Sequence, residues 1–278
     1  MKNFDMTRFG RVLKLDFVEG YKPMLWGALC MMLLYLFFFW FAHNIGMHES
    51  RFDWYDAPED VTMLRVRTIC EAVGAFSLMA CFIFFLISAS TLFRGEQKKQ
   101  KRIAWLMLPA SNQEKFLSRW IYLVAFSLVG GLLPFFVADG VHIAYLWMTD
   151  NPVMCTTKWF FNMMPHVSDY GGVTINDWLS TIMEYSFVIG IHSFYLLGGV
   201  FFKKFHFIAA SAVVVIAFAA FVACINMFTD PGQPSDISHT AYYITVTVFW
   251  TLAVILFTWL AYYLFCRWQV VTHKFANI

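Results

Sequence analysis

The residues able to do chemistry in this 278-residue chain are few and scattered. Asp139 and His142, three positions apart at the edge of an apolar run, share one face of any helix that carries them and form a close carboxylate–imidazole pair. Such a pair can move a proton, but a hydrolase also needs a nucleophile or a metal. No His-Glu-x-x-His or comparable ligand spacing is present. Glu71, Glu184, His192 and Asn226 stand singly in or beside apolar runs. An ionisable residue so placed marks a solvated boundary position, a hydrogen-bonded packing position or the lining of a path. Asp139, His142 and Glu71 fit the boundary, and His192, deeper in its run, fits packing between helices. Glu184 fits boundary and path equally, and a path lined by Asp139, His142, Glu184 and His192 stays open. The phosphate cradle Gly-x-x-x-x-Gly-Lys-Ser/Thr is absent, so no nucleotide site is expected on this chain.

The elements that must position these residues are membrane spans. The chain is 60% hydrophobic and 14% charged, far from the roughly 45–50% and 25% of soluble domains. Crossing a hydrocarbon core of about 30 Å takes about 20 residues of helix. Apolar runs of that order predict six spans, at about 24–42, 69–93, 116–140, 178–202, 207–228 and 241–266. Pro23 predicts the start of the first, and Pro134 predicts a kink in the third. Ahead of the first span, Met6, Phe9, Leu13 and Phe17 recur at helical spacing, with Arg8, Arg11 and Lys14 on other faces. Residues 1–22 therefore read as an interfacial helix facing anionic headgroups, although Asp16 intrudes on its apolar stripe. A cleavable signal peptide fits poorly, because the charged region is too long and no small-x-small site follows. Polar connections are expected at 43–67 and at 151–177, where Trp159, Phe160 and Phe161 cluster, with short turns at 203–206 and 230–235. The six cysteines stand singly and read as small buried hydrophobes, with Cys70 and Cys155 able to meet outside the membrane. Neither an internal repeat nor a soluble second domain is visible, so 1–278 reads as one membrane domain.

Charge orients the spans. With both termini inside, the inner segments carry 16 of the 20 Lys and Arg residues, and the outer connections only Arg51, Arg65, Arg67 and Lys158. The positive-inside rule then makes both termini cytoplasmic.

Between the second and third spans, 94–115 is polar at both ends and apolar in the middle. A basic run through Lys98, Lys99, Lys101 and Arg102 precedes the hexamer Ile103-Ala104-Trp105-Leu106-Met107-Leu108. The hexamer is too short to span and predicts a short interfacial helix. Pro109 predicts its end. Ser111 and Glu114 then make a capping-box pattern, which predicts the start of a new helix.

The segment Leu106-Met107-Leu108-Pro109-Ala110-Ser111-Asn112-Gln113-Glu114-Lys115-Phe116-Leu117 resembles the Leu-Pro-Ala-Ser, two residues, Glu-Lys segment of bacterial type-two ABC transporter permeases. That resemblance implies an all-α integral membrane protein with six transmembrane helices, an N-terminal interfacial helix and a short cytoplasmic coupling helix. It implies coupling through Trp105, Leu106, Pro109, Ser111, Glu114 and Lys115 to a separate ABC ATPase subunit that carries the ATP and Mg. It also implies a dimer with a second permease copy or a paralogue in a bacterial inner membrane, and no nucleic acid as partner. Export of a lipid, peptide or drug-like molecule follows by analogy alone. Two readings from other classes compete, an intramembrane enzyme and a secondary transporter, both using Asp139, His142 and Glu184. The enzyme lacks a complete catalytic set. The secondary transporter lacks repeats, with Gly130-Gly131 near Pro134 and Gly198-Gly199 as candidate breaks.

Overall fold

A computed structural model describes residues 4–48, 59–94, 99–148, 155–162, 175–202, 205–228 and 239–267. The turns read at 203–204 and 230–235, residues 95–98 of the basic run, the tail from 268 onward and the side chain of Asn226 lie outside the described residues. The described elements are all helical: α1 (Met6–His48), α2 (Glu59–Thr91), α3 (Lys99–Met107), α4 (Asn112–Ser127), a π-helical segment (Leu128–Leu132), α5 (Leu133–Met148), α6 (Thr156–Asn162), α7 (Ile175–Phe201), α8 (His206–Phe228) and α9 (His239–Cys266). Among the described residues, four stretches are long and apolar enough to cross a membrane: Met6–Asn44, Arg67–Thr91, Asn112–Met148 and Thr240–Cys266. The protein is thus an all-helical chain with the character of a multi-pass membrane protein. The 27 residues of α7 would reach about 40 Å, but this helix buries Gly190, His192, Ser193, Gly198 and Gly199, which dilute its apolarity.

The helix start expected at Pro23 is not there. Pro23 lies inside α1, which runs unbroken from Met6. Proline in a helix interior removes an amide and crowds the preceding turn. Beside this defect the Tyr122 hydroxyl donates to the Gly20 carbonyl at 2.9 Å. Tyr122 also sits so close that a Cβ at position 20 would collide with its ring, which leaves glycine as the residue that fits. The kink expected at Pro134 takes a specific form. The helix widens to π geometry over Leu128–Leu132, just ahead of the proline, a usual way to absorb such a defect. The Tyr35 hydroxyl donates to the Gly131 carbonyl there, at 3.1 Å.

The chain divides into two compact units. One comprises Gly10–Phe85 and Ser118–Met164. Its core joins Met31, Tyr35 and Phe39 of α1, Val73 of α2, Phe135 and Ala138 of α5, and Phe160 of α6. Along α1 and the α4–α5 helix, residue 16 meets 118, 20 meets 122 and 35 meets 131. Both series rise together, so these two helices run parallel.

The other unit comprises Met1–Phe9, Leu86–Leu117 and Pro165–Ile278. Here α7 and α9 also run parallel, since Asn176 bonds Thr240, Phe187 meets Trp250 and Phe194 meets Phe257. By contrast α8 returns antiparallel, with Tyr195 bonded to Ser211 and Gly198 against Ala210. Aromatic contacts of Phe93 with Phe116 and Phe265, and of Phe116 with Tyr262, join the end of α2, the start of α4 and the end of α9. Gly199, near the end of α7, packs on the Ser90 carbonyl. The starts of α4 and α8 and the ends of α2, α7 and α9 therefore meet at one end of this unit.

Small residues set that packing, because helices in an apolar medium gain from close backbone approach. A Cβ at Gly199 would lie 2.5 Å from the Ser90 carbonyl oxygen, a backbone atom that cannot rotate away. Gly199→Ala is expected to destabilise the protein by about 1–3 kcal/mol, the usual cost of overpacking. Thermal unfolding in detergent checks this, against Gly140→Ala, where a Cβ meets nothing within 4 Å.

Candidate functional site

The 94–115 segment folds as its local chemistry dictates. α3 ends at Met107, the chain bends through Pro109, and α4 begins at Asn112. The capping box forms: the Ser111 amide donates to Glu114 Oε2 at 2.8 Å, and the Glu114 amide donates to Ser111 Oγ at 3.2 Å. Each satisfies a donor that a helix start would otherwise leave open.

Glu114 has a second task that its sequence neighbourhood does not announce. Its Oε1 accepts from the Asp5 amide at 2.7 Å and from Arg8 Nη2 at 3.2 Å. Asp5 is itself the cap of α1, its carboxylate accepting from the Thr7 amide at 2.8 Å. That bond, with further help from Arg8, holds the Asp5 carboxyl below its ordinary range. One carboxylate thus completes the cap of α4 and grips the first turn of α1. Lys115 ties in the third element, with Nζ donating to the Leu106 carbonyl at the end of α3 at 3.3 Å. The elbow is a joint of α1, α3 and α4.

This geometry redistributes the residues expected to meet a partner. Trp105, Glu114 and Lys115 are buried, Ser111 is half-buried, and Leu106 and Pro109 are exposed. Glu114 has no exposed surface and instead holds Asp5, Arg8 and Ser111 within the chain. Arg102, the last residue of the basic run, is also buried. The face that α3 turns outward carries Ile103, Ala104, Leu106 and Met107, the last 79% exposed, beside the polar Gln100 and Lys101.

Asp139, read as a boundary carboxylate in water, is 2% exposed. Its Oδ1 accepts from the Thr156 amide at 3.2 Å, and its Oδ2 from the Thr157 amide at 3.0 Å, the Thr157 hydroxyl and Cys155 Sγ. The carboxylate caps α6, a seven-residue helix of about two turns within the connection read as polar. Phe160 of α6 is fully buried and stacks on Phe135 at 4.3 Å. Both Asp139 oxygens are engaged by α6 and its leading residues. His142 instead stacks on Phe39 at 4.5 Å, and among the described residues its Nδ1 has no hydrogen-bond partner. Glu71 is half-buried and pairs with Arg67 on its own helix at 2.9 Å. Cys70, buried, and Cys155, exposed, both carry free thiols. Asp139 and His142 belong to one unit, Glu184 (exposed) and His192 (buried) to the other. No group of His, Cys, Asp or Glu able to hold a metal occurs among the described residues.

Sequence reasoning missed one buried charge pair. Asp16 of α1 is fully buried, with Arg119 Nε of α4 at 3.2 Å and the Ser118 hydroxyl donating to it. The signal was present in the two odd charges: an acid intruding on the stripe of α1, and a lone cation two turns into α4. Removing one partner of such a pair strands the other.

Two substitutions separate the roles of the elbow. Ser111→Ala removes one cap and is expected to cost about 1 kcal/mol. Glu114→Ala removes the acceptor for Asp5, Arg8 and Ser111 and is expected to cost about 2–3 kcal/mol, the scale of hydrogen bonds to a charged group. Limited proteolysis should cut the first turn of α1 faster in the Glu114 variant and at the ordinary rate in the Ser111 variant. At the other end, Asp139→Ala should free α6, seen as faster thiol modification of Cys155.

No family model, curated protein or solved structure matches this chain, so its own geometry is the ground for any functional reading.

Proposed function

We propose that this chain is the membrane-spanning subunit of an ATP-driven ABC exporter of the type-two permease class. On this reading it crosses a bacterial inner membrane six times with both termini in the cytoplasm, and it works as a dimer with two copies of a separate ATPase that binds the ATP and Mg. The observation that carries the reading is the elbow. A short helix that exposes Ile103, Leu106 and Met107 is fastened through Lys115 to the start, capped by Ser111 and Glu114, of a long apolar helix. Force applied to α3 would pass into α4 without a slack loop between them, and through Glu114 into α1.

Two further features support the layout. In the unit that contains the elbow, the first turn of α1, the end of α2, the start of α4, the end of α7, the start of α8 and the end of α9 come together. A six-span chain with both termini on one side would bring these same ends together. The bias of 16 Lys and Arg against 4 supports placing that side in the cytoplasm. An enzyme built on Asp139 and His142 has less support, since α6 engages both oxygens of the carboxylate.

Co-purification tests the coupling. The candidate ATPase, a Walker-A protein without membrane spans encoded beside this chain, should co-purify with it. Leu106→Asp should abolish that association while the chain still inserts. Failure to co-purify any ATPase, or an unaffected Leu106→Asp variant, would overturn the proposal. Topology is tested separately with single-cysteine variants and an impermeant thiol reagent on intact cells. Cys155 should react from outside, and a cysteine replacing Gln100 should react only after the membrane is opened. The reverse pattern would overturn the orientation.

A further inference from the structure

Where its main apolar run begins, α1 carries an open groove of about 320 Å³ lined by Lys22, Leu25, Trp26 and Leu29. Trp26 is 67% exposed, and only 17% of the most apolar window of α1 is buried inside the chain. Arg11, Lys14, Val18, Lys22, Leu25 and Leu29 follow one another at three- and four-residue steps, so they form one stripe, and all are exposed. The stripe is cationic at its start and apolar at its end, and the change falls at Lys22 and Pro23. Among the described residues of α1, Glu19 is the exposed acid that flanks it, and the Lys22 ammonium lies 6.0 Å from the Tyr21 ring.

We infer that this groove is a binding site for an anionic phospholipid of the leaflet next to the start of α1. Its phosphate would sit at Lys22, with Lys14 and Arg11 adding field, and an acyl chain would lie along Leu25, Trp26 and Leu29. Each part has its physical reason. A Lys two residues outside the apolar run can hold its ammonium at headgroup depth while its stem lies on apolar surface. Tryptophan belongs at that same depth. Basic residues at a membrane surface attract anionic lipid by about 1 kcal/mol each, a factor of roughly five. A second copy of the chain fits this face poorly. A two-fold interface would set the stripe against itself and bring its cations together. The inference requires α1 to cross a membrane and is independent of the transport reading.

Native mass spectrometry of the detergent-purified chain tests it, titrating phosphatidylglycerol against phosphatidylcholine with matched acyl chains. The tightest site should prefer phosphatidylglycerol. Lys22→Gln should weaken it about five-fold, and Trp26→Ala should weaken binding of both lipids. Arg267→Gln, which removes an exposed cation beside Tyr263, should leave the tightest site unchanged. Should Lys22→Gln fail to fold, Lys14→Gln should give a smaller loss in the same direction. Equal affinity for the two lipids, an unchanged Lys22 variant or an equal loss in the Arg267 variant would overturn the site. So would competition by inorganic phosphate alone at comparable concentration, or a dimer that dissociates when Lys22 is changed to Glu, since these would name a phosphate or a second copy as the occupant.

Discussion

The carboxylate of Glu114 is the contact on which the arrangement of the elbow depends. A helix start leaves amides without partners, and in a largely apolar chain such groups are costly to bury. Glu114 answers this at two helix starts at once, those of α4 and α1, from a side chain with no exposed surface. Because Arg8 shares the same oxygen, the buried charge is partnered as well as hydrogen-bonded. The consequence is mechanical. The beginning of the chain, the short helix α3 and the long α4 cannot shift separately without breaking bonds to one of two adjacent residues, Glu114 and Lys115.

Further along, the parallel pair of α1 and α4–α5 repeats this device with different chemistry. Asp16 with Arg119 and Ser118, Tyr122 with the Gly20 carbonyl, and Tyr35 with the Gly131 carbonyl are polar contacts in an otherwise apolar seam. Two of them fall where proline disturbs a helix, at Pro23 and Pro134. A tyrosine can serve there because its ring packs as a hydrophobe while its hydroxyl reaches a backbone carbonyl. Where the medium offers no water, such side chains keep the defects tolerable. Asp139 does the same for the leading amides of α6, and so holds Phe160 in the core.

What was legible in the sequence was local. The break at Pro109 and the reciprocal Ser111–Glu114 cap depend on residues within three positions of each other, and both form as read. The long apolar helices were legible from composition, because burial in lipid needs only length and hydrophobicity. Contacts across more than a hundred positions were not. Nothing near Glu114 reveals that Asp5 returns to it, and nothing near Asp16 reveals Arg119. Pro23 illustrates a real ambiguity, since a proline at a first turn and a proline inside a long helix look alike when both neighbours favour helix. Asp139 was misread for a related reason. Its partner α6 has only seven residues, begins with two threonines and lies in a polar connection, so no periodic signal marks it.

The central claim is that one buried carboxylate couples the start of α1 to the elbow of α3 and α4. Hydrogen–deuterium exchange of the intact detergent-purified chain tests it most directly, comparing Glu114→Gln with the unaltered protein. Loss of the charge and of half the acceptor capacity should speed exchange in peptides covering residues 4–9 and 106–113 together, with the 30–40 region of α1 unchanged. Exchange that rises at the elbow while residues 4–9 stay protected would contradict the coupling.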